Sequence, residues 1–166
     1  MPWSSPSAVE DLLLYRMSKI VSLGGGLVTR LCEGQFGITR REWAVLGVLA
    51  TSEKLDWPEL LRRTELDDAR LSRAVSSLVG KRLALKTQKA GRQFVVALSD
   101  EGRQLHEQVF PQAREINRQI LEGLDAQALE SLDKALLAIH EHAERLARTM
   151  AWPKASRRLG RGRTSE

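Results

Sequence analysis

What the 166-residue chain has little of narrows its function. Its only cysteine, Cys32, cannot form an internal disulfide. Zinc sites usually draw on several Cys and His ligands. Here there are three histidines, and His140 and His142 are two apart, on different faces of any helix. No HExxH, CxxC or Ser-His-Asp pattern is apparent, so hydrolytic or metal catalysis has little to stand on. Neither an enzyme nor a cofactor is expected. Hydrophobic runs fall short of the ~18 residues of a membrane span. The opening MPWSSPSAVEDLLLY has no basic segment before its apolar stretch, which argues against a secretory leader. With the lone thiol, this predicts a reducing, cytoplasmic compartment and no membrane partner. Five prolines and 12 glycines exclude a collagen-like chain, and 42% hydrophobic against 28% charged residues is the balance of a globular protein. The length suits one domain, or a core with an extension.

The net charge of +5 is modest, but it is unevenly spread. Residues 62–98 carry nine Lys/Arg against three Asp/Glu, residues 99–152 six against ten, and residues 153–166 five against one. A polyanion would meet the first and last of these blocks. The plain alternative is solubility with a basic end.

Helix signals follow one another along the chain. Ser7 with Glu10 forms a capping-box pattern ahead of an apolar periodic stretch running to Cys32. Gly24–Gly26 either break that helix or mark a close backbone approach. Thr39 with Glu42 caps a second helix, and Asp56 with Pro58 just inside opens a short third one. Asp67 or Asp68 caps a fourth, DARLSRAVSSLVGKR, in which Leu71, Val75, Leu78 and Val79 make a core stripe. Arg70, Arg73, Ser76, Ser77 and Lys81 lie off that stripe, and no acid occurs between Asp68 and Asp100. Such a face suits phosphates and base edges. LALKTQ and QFVVALS, joined by a Gly-containing loop, read as a basic hairpin. Ser99 caps a long helix that reaches about Leu124 with Pro111 as a kink point, and Asp125 starts a last one. Leu129, Leu132, Leu136, Leu137, His140 and Leu146 form its stripe. From Pro153 on, no apolar pattern remains, and residues 153–166 read as a disordered basic tail.

The predicted fold is therefore mainly α with a small β-hairpin wing. A winged helix-turn-helix over residues 39–98 is flanked by long helices over 1–38 and 99–152, whose stripes need a partner, most simply a second copy. Here the chain resembles the MarR family of transcription regulators across about residues 10–148. ITRREWAVLGVLA resembles the family's second helix, and LDDARLSRAVSSLVGKRLAL its recognition helix and the start of its wing. GRQFVVALSDEGRQL is similar to the family's wing-exit pattern, with Arg92, Leu98, Ser99 and Gly102 in the matching positions. Ala90 stands where the family usually has Asp, and Arg82 where a Gly is usual.

The resemblance implies a homodimer on a palindromic operator in double-stranded DNA, a repressor released by a small molecule such as an aromatic carboxylic acid. In that arrangement Arg70 and Arg73 reach bases or phosphates, and Ser72, Ser76 and Ser77 make short polar contacts. Asp68 heads the same helix and belongs to the same surface. Arg40, Lys81 and the wing residues Lys86, Lys89 and Arg92 are phosphate contacts. Arg16 is a cation for an effector carboxylate, with Ile20 beside it on the first helix and Trp43 as an aromatic wall. Two alternatives stand beside this reading. One is redox control through Cys32, as in a peroxide-sensing branch of the family, although Arg30 and Glu33 roughly cancel around the thiol. The other is a winged-helix interaction module that does not bind DNA.

Overall fold

The computed structural model describes residues 5–88 and 94–151. The chain forms two compact units, divided between residues 122 and 123. The first begins with a short 3₁₀ turn, Val9–Asp11, and then α1 (Leu13–Thr29), which passes into a π-helical turn over Arg30–Gln35. The acid that organises this start is Asp11, not Glu10. Its carboxylate accepts from the Ser7 and Ala8 amides and the Ser7 hydroxyl at 3.0–3.1 Å, and these bonds hold its pKa below the usual range.

α1 runs unbroken through Gly24–Gly26, and the reason is close approach. A methyl group on Gly25 would lie 2.9 Å from Arg40 Nη1, and one on Gly24 would lie 3.1 Å from Ile120 Cδ1. The two glycines leave room beside α1 for the Arg40 side chain of α2 and for Ile120 of α5.

The winged helix follows. α2 (Arg40–Ala50) is capped by Thr39, and Glu42 closes the reciprocal box. β1 is only Leu55–Asp56, and Asp56 also caps α3 (Trp57–Thr64), with Pro58 in its first turn. α4 (Asp68–Gly80) is capped by Asp67. β2 (Ala84–Gln88) and β3 (Phe94–Leu98) pair antiparallel, and β1 joins the other edge of β3, giving the order β1-β3-β2. The strand β1 is not legible in the sequence, because two residues are too few to show a period.

The core of this domain gathers Val45, Leu46 and Leu49 of α2, Leu60 of α3, Leu71, Ala74, Val75 and Leu78 of α4, and Val96 and Leu98 of β3. The expected stripe on α4 holds except at its end: Val79 is exposed, and Ala74 is buried instead. α5 (Asp100–Ile120) is capped by Ser99, contains Pro111 and stops four residues short of the expected Leu124. A smaller apolar cluster, Leu31, Cys32, Ile38 and Val109, ties α5 to the end of α1.

The second unit contains α6 (Ala126–Thr149), capped by Asp125, whose carboxylate accepts from the Ala128 amide at 2.7 Å. No described helix is long and apolar enough to cross a membrane.

Candidate functional site

α4 divides into two stripes. Arg70, Ala74, Ser77 and Lys81 recur at helical spacing and face the start of α2, as the cleft they share with Thr39, Arg41 and Glu42 shows for the first three. Ser72, Arg73 and Ser76 lie on the neighbouring stripe, where Arg73 and Ser76 are exposed and Ser72 is half-buried. Asp67 caps the helix through the Arg70 amide at 2.8 Å and also pairs with Arg70 Nε at 3.3 Å. Arg73 has no carboxylate partner among the described residues.

Several residues expected on the DNA surface are exposed and also make contacts within the protein. Glu42 is 2% exposed, the only buried carboxylate among the described residues. Lys81 Nζ donates to Glu42 Oε2 at 2.9 Å and to the Gly37 carbonyl at 2.8 Å. The Ser77 hydroxyl and the Thr39 amide also hydrogen-bond Glu42. Desolvation raises the Glu42 pKa, but these hydrogen bonds and the Lys81 charge outweigh it, and the carboxylate titrates below its ordinary value. Ser77 and Lys81 thus fasten α4 to α2. Asp68 accepts from the Trp57 indole Nε1 at 2.8 Å. Lys86 Nζ sits 5.0 Å from the Trp57 ring centre and 4.3 Å from that of Phe94, a double cation–π contact. Trp57 therefore links the head of α4 to the wing. Lys89 and Arg92 lie outside the described residues, as do Ala90 and residues 153–166.

The expected effector residues separate. Ile20 and Trp43 line one groove of about 530 Å³ between α1, α2 and α5, together with Val28, Ile116 and Asn117. Arg16 is not among its lining residues: its Nε donates to the Glu10 carbonyl at 2.9 Å, and its guanidinium lies 3.8 Å from Asp11. The groove's cation is Arg40, assigned from sequence to a phosphate. Arg40 packs over Gly25 and has no carboxylate partner among the described residues. Its charge was legible in the sequence, but its direction depended on which glycine would admit it. Trp43 also stacks on His106 at 5.6 Å, and His106 on Phe110 at 5.2 Å. Burial pushes the His106 pKa down, while Glu107 opposes this.

Cys32 is fully buried, and burial followed by the Glu33 charge pushes its thiol up. That is the opposite of a reactive thiolate. No group of three or more metal-ligating side chains occurs among the described residues.

Residues 36–93 match the sequence pattern of the MarR family. Over this segment the chain is similar to the MarR family. The match covers α2 through β2, ending just before β3, and includes the basic face of α4. Solved structures extend the likeness to the flanking helices. A probable transcriptional regulator from Pseudomonas aeruginosa is 29% identical, with 77% of this chain and 99% of that one covered and a TM-score of 0.63. Sco3205, a MarR family transcriptional regulator from Streptomyces coelicolor seen in complex with DNA, shares the fold at 22% identity, TM-score 0.74, covering 81% and 88%. BpsR from Bordetella bronchiseptica, whose DNA binding is regulated by 6-hydroxynicotinic acid, shares it at 17% identity, TM-score 0.74, covering 82% and 98%. No curated protein matches the MarR-like chain at a significant level.

Proposed function

We propose that this protein regulates transcription by binding a palindromic operator in double-stranded DNA as a homodimer, most simply as a repressor. The observation that carries this reading is the exposed face of α4, where Arg73 and Ser76 stand clear of the core beside Arg70 and Ser72. A recognition helix needs donors that reach past its own backbone, and Arg is the residue best shaped for base edges and phosphates. The second copy is supported by the apolar surface of α1 and of α6, where Leu14, Leu23, Leu137 and Leu146 are each more than half exposed.

Release by a small aromatic carboxylic acid is supported by the groove between α1, α2 and α5. It combines an aromatic wall, Trp43, with a guanidinium, Arg40, that no carboxylate among the described residues neutralises. The regulation of BpsR by 6-hydroxynicotinic acid is in keeping with that chemistry.

The test is fluorescence anisotropy on a labelled duplex from the gene's own upstream region, titrated at several salt concentrations against unrelated duplex. Saturable binding of one dimer that survives the competitor supports the reading. Binding lost equally to any duplex, or none, overturns it and favours an interaction module. Benzoate-type acids are then added to the complex, where release is expected and is lost in Arg40→Gln.

A further inference from the structure

Arg41 has no place in the roles above, yet it lies where two parts of the domain meet. A cleft of about 320 Å³ between the first turn of α2 and α4 is lined by Thr39, Arg41, Glu42, Arg70, Arg73 and Ser77. A second depression beside it also includes Thr39, Arg41 and Arg70, together with Arg40 and the Glu33 carboxylate, which pairs with none of these arginines within 4 Å. The charges around the first cleft do not balance. Glu42 is buried and its charge is met by Lys81 at 2.9 Å. Arg70 shares its charge with Asp67 at 3.3 Å, and both side chains are nearly half exposed. Arg41 and Arg73 are exposed and have no carboxylate partner among the described residues. Two uncompensated guanidinium groups and a third that is weakly paired therefore converge on one concave site. Guanidinium forks fit phosphate oxygens, and phosphate contacts fix the orientation of a protein on the duplex.

We infer that this cleft seats one phosphodiester of the DNA backbone, held by Arg41 from α2 and Arg70 from α4, with Arg73 on the rim shared with the base-facing stripe. The inference rests on the DNA-binding reading and adds a division of labour to it. The α4 stripe beside α2 positions the duplex without reading it, and the stripe of Ser72, Arg73 and Ser76 faces the base edges. Because one seat is built from two helices, it also fixes how far α4 enters the groove.

The test uses the full-length protein, an operator selected by it from a pool of random duplexes, and an unrelated duplex. Arg41→Gln is expected to weaken both duplexes by the same factor, roughly tenfold for a lost charge-assisted contact. It is also expected to lower the slope of log affinity against log salt by about 0.9 for each bound protomer. Arg41→Lys keeps the slope and loses part of the affinity, because it keeps the charge and gives up the fork. Ser76→Ala changes the preference between the duplexes and leaves the slope alone. An unchanged slope in Arg41→Gln overturns the proposed seat, as does a loss confined to the selected operator. Failure of the unaltered protein to bind any duplex instead overturns the DNA-binding reading beneath it. Melting curves by circular dichroism should superimpose for the Arg41 variants, since the side chain is exposed.

Discussion

The winged helix and the helices at the ends of the chain dispose of their apolar residues in opposite ways. α2, α3, α4 and β3 bury theirs against one another, with Val45, Leu46, Leu49, Leu60, Leu71 and Leu78 all at 0% exposure. Neither α1 nor α6 contains a buried residue, over 17 and 24 residues. An isolated helix is marginal in water, and most of its stability in a protein comes from packing an apolar face. The winged helix thus carries its own reasons to fold, whereas α1 and α6 expose several large apolar side chains.

The largest expected effect breaks the comparison on the side of α6. Leu136→Glu combined with Leu137→Glu should abolish the proposed homodimer, turning a dimer into a monomer in sedimentation at micromolar concentration. A buried leucine contributes about 1.5–3 kcal/mol, and the pair would be lost from both copies. A dimer that persists would show that α6 does not provide the interface. Within the winged helix, Gly102→Ala should be the most damaging small change. A methyl group there would overlap the Leu83 carbonyl, which is backbone and cannot swing aside, and would also crowd Leu98. The expected loss is about 3 kcal/mol in urea unfolding. A loss below about 1 kcal/mol would mean that α5 can shift away from the wing at little cost.

The same contrast explains what could be read from the sequence. Most features set by neighbours within four residues were legible, the start of the chain excepted, where Asp11 and not Glu10 accepts the Ser7 and Ala8 bonds. The caps at Thr39, Asp56, Asp67, Ser99 and Asp125 each accept the backbone hydrogen bond that their side chains predict. The order of helices and paired strands followed from periodicity. Contacts between distant residues were not legible. Lys81 and Glu42 are 39 positions apart, so the sequence does not show that a lysine assigned to phosphate also binds a buried carboxylate. Lys86 is exposed on the wing as its sequence position suggests, but its contacts with Trp57 and Phe94 were not legible. The sequence suggests Arg16 as the effector cation and Arg40 as a phosphate contact, and nothing local in it shows that the Arg40 side chain lies over Gly25 in the groove.

A smaller effect sharpens the picture of the winged helix, because its one buried carboxylate among the described residues ties α4 to α2. Glu42→Gln keeps the shape and the bond to the Thr39 amide but gives up the charge that holds Lys81. The expected cost near neutral pH is about 2 kcal/mol, in the range for hydrogen bonds to a charged group. The Glu42 pKa is lowered on folding, so the unfolded chain binds the proton more tightly. Its stabilising contribution is complete above the ordinary value of 4.5 and is lost as pH falls through the depressed folded value. Unfolding measured between about pH 6 and pH 3 should therefore show a shallower loss of stability in Glu42→Gln than in the unaltered protein. Parallel curves would mean that Glu42 does not carry the acid sensitivity of the domain.

The smallest expected effect has the opposite sign. Arg82 follows α4 with φ of 60°, in the left-handed region, at the position where the family usually has a glycine. The chain closes the helix there with main-chain bonds alone: Leu83 N–H donates to the Leu78 carbonyl at 2.8 Å, and Arg82 N–H to the Val79 carbonyl at 3.0 Å. This is a Schellman motif, whose left-handed residue is usually Gly. Neither bond uses the arginine side chain, so Arg82→Gly keeps both. It removes a left-handed penalty of about 1–2 kcal/mol and adds unfolded-state freedom of about 0.5–1 kcal/mol. A net gain of about 0.5–1 kcal/mol in urea unfolding is expected. Glu65, at the end of α3 with φ of 53°, offers an independent check, and Glu65→Gly should move stability in the same direction. If Arg82→Gly destabilises the domain while Glu65→Gly stabilises it, the arginine side chain contributes packing that offsets its strain. If both gain, two positions in the winged helix carry side chains at a cost to stability, and Arg82, being exposed and basic, would be retained for its charge.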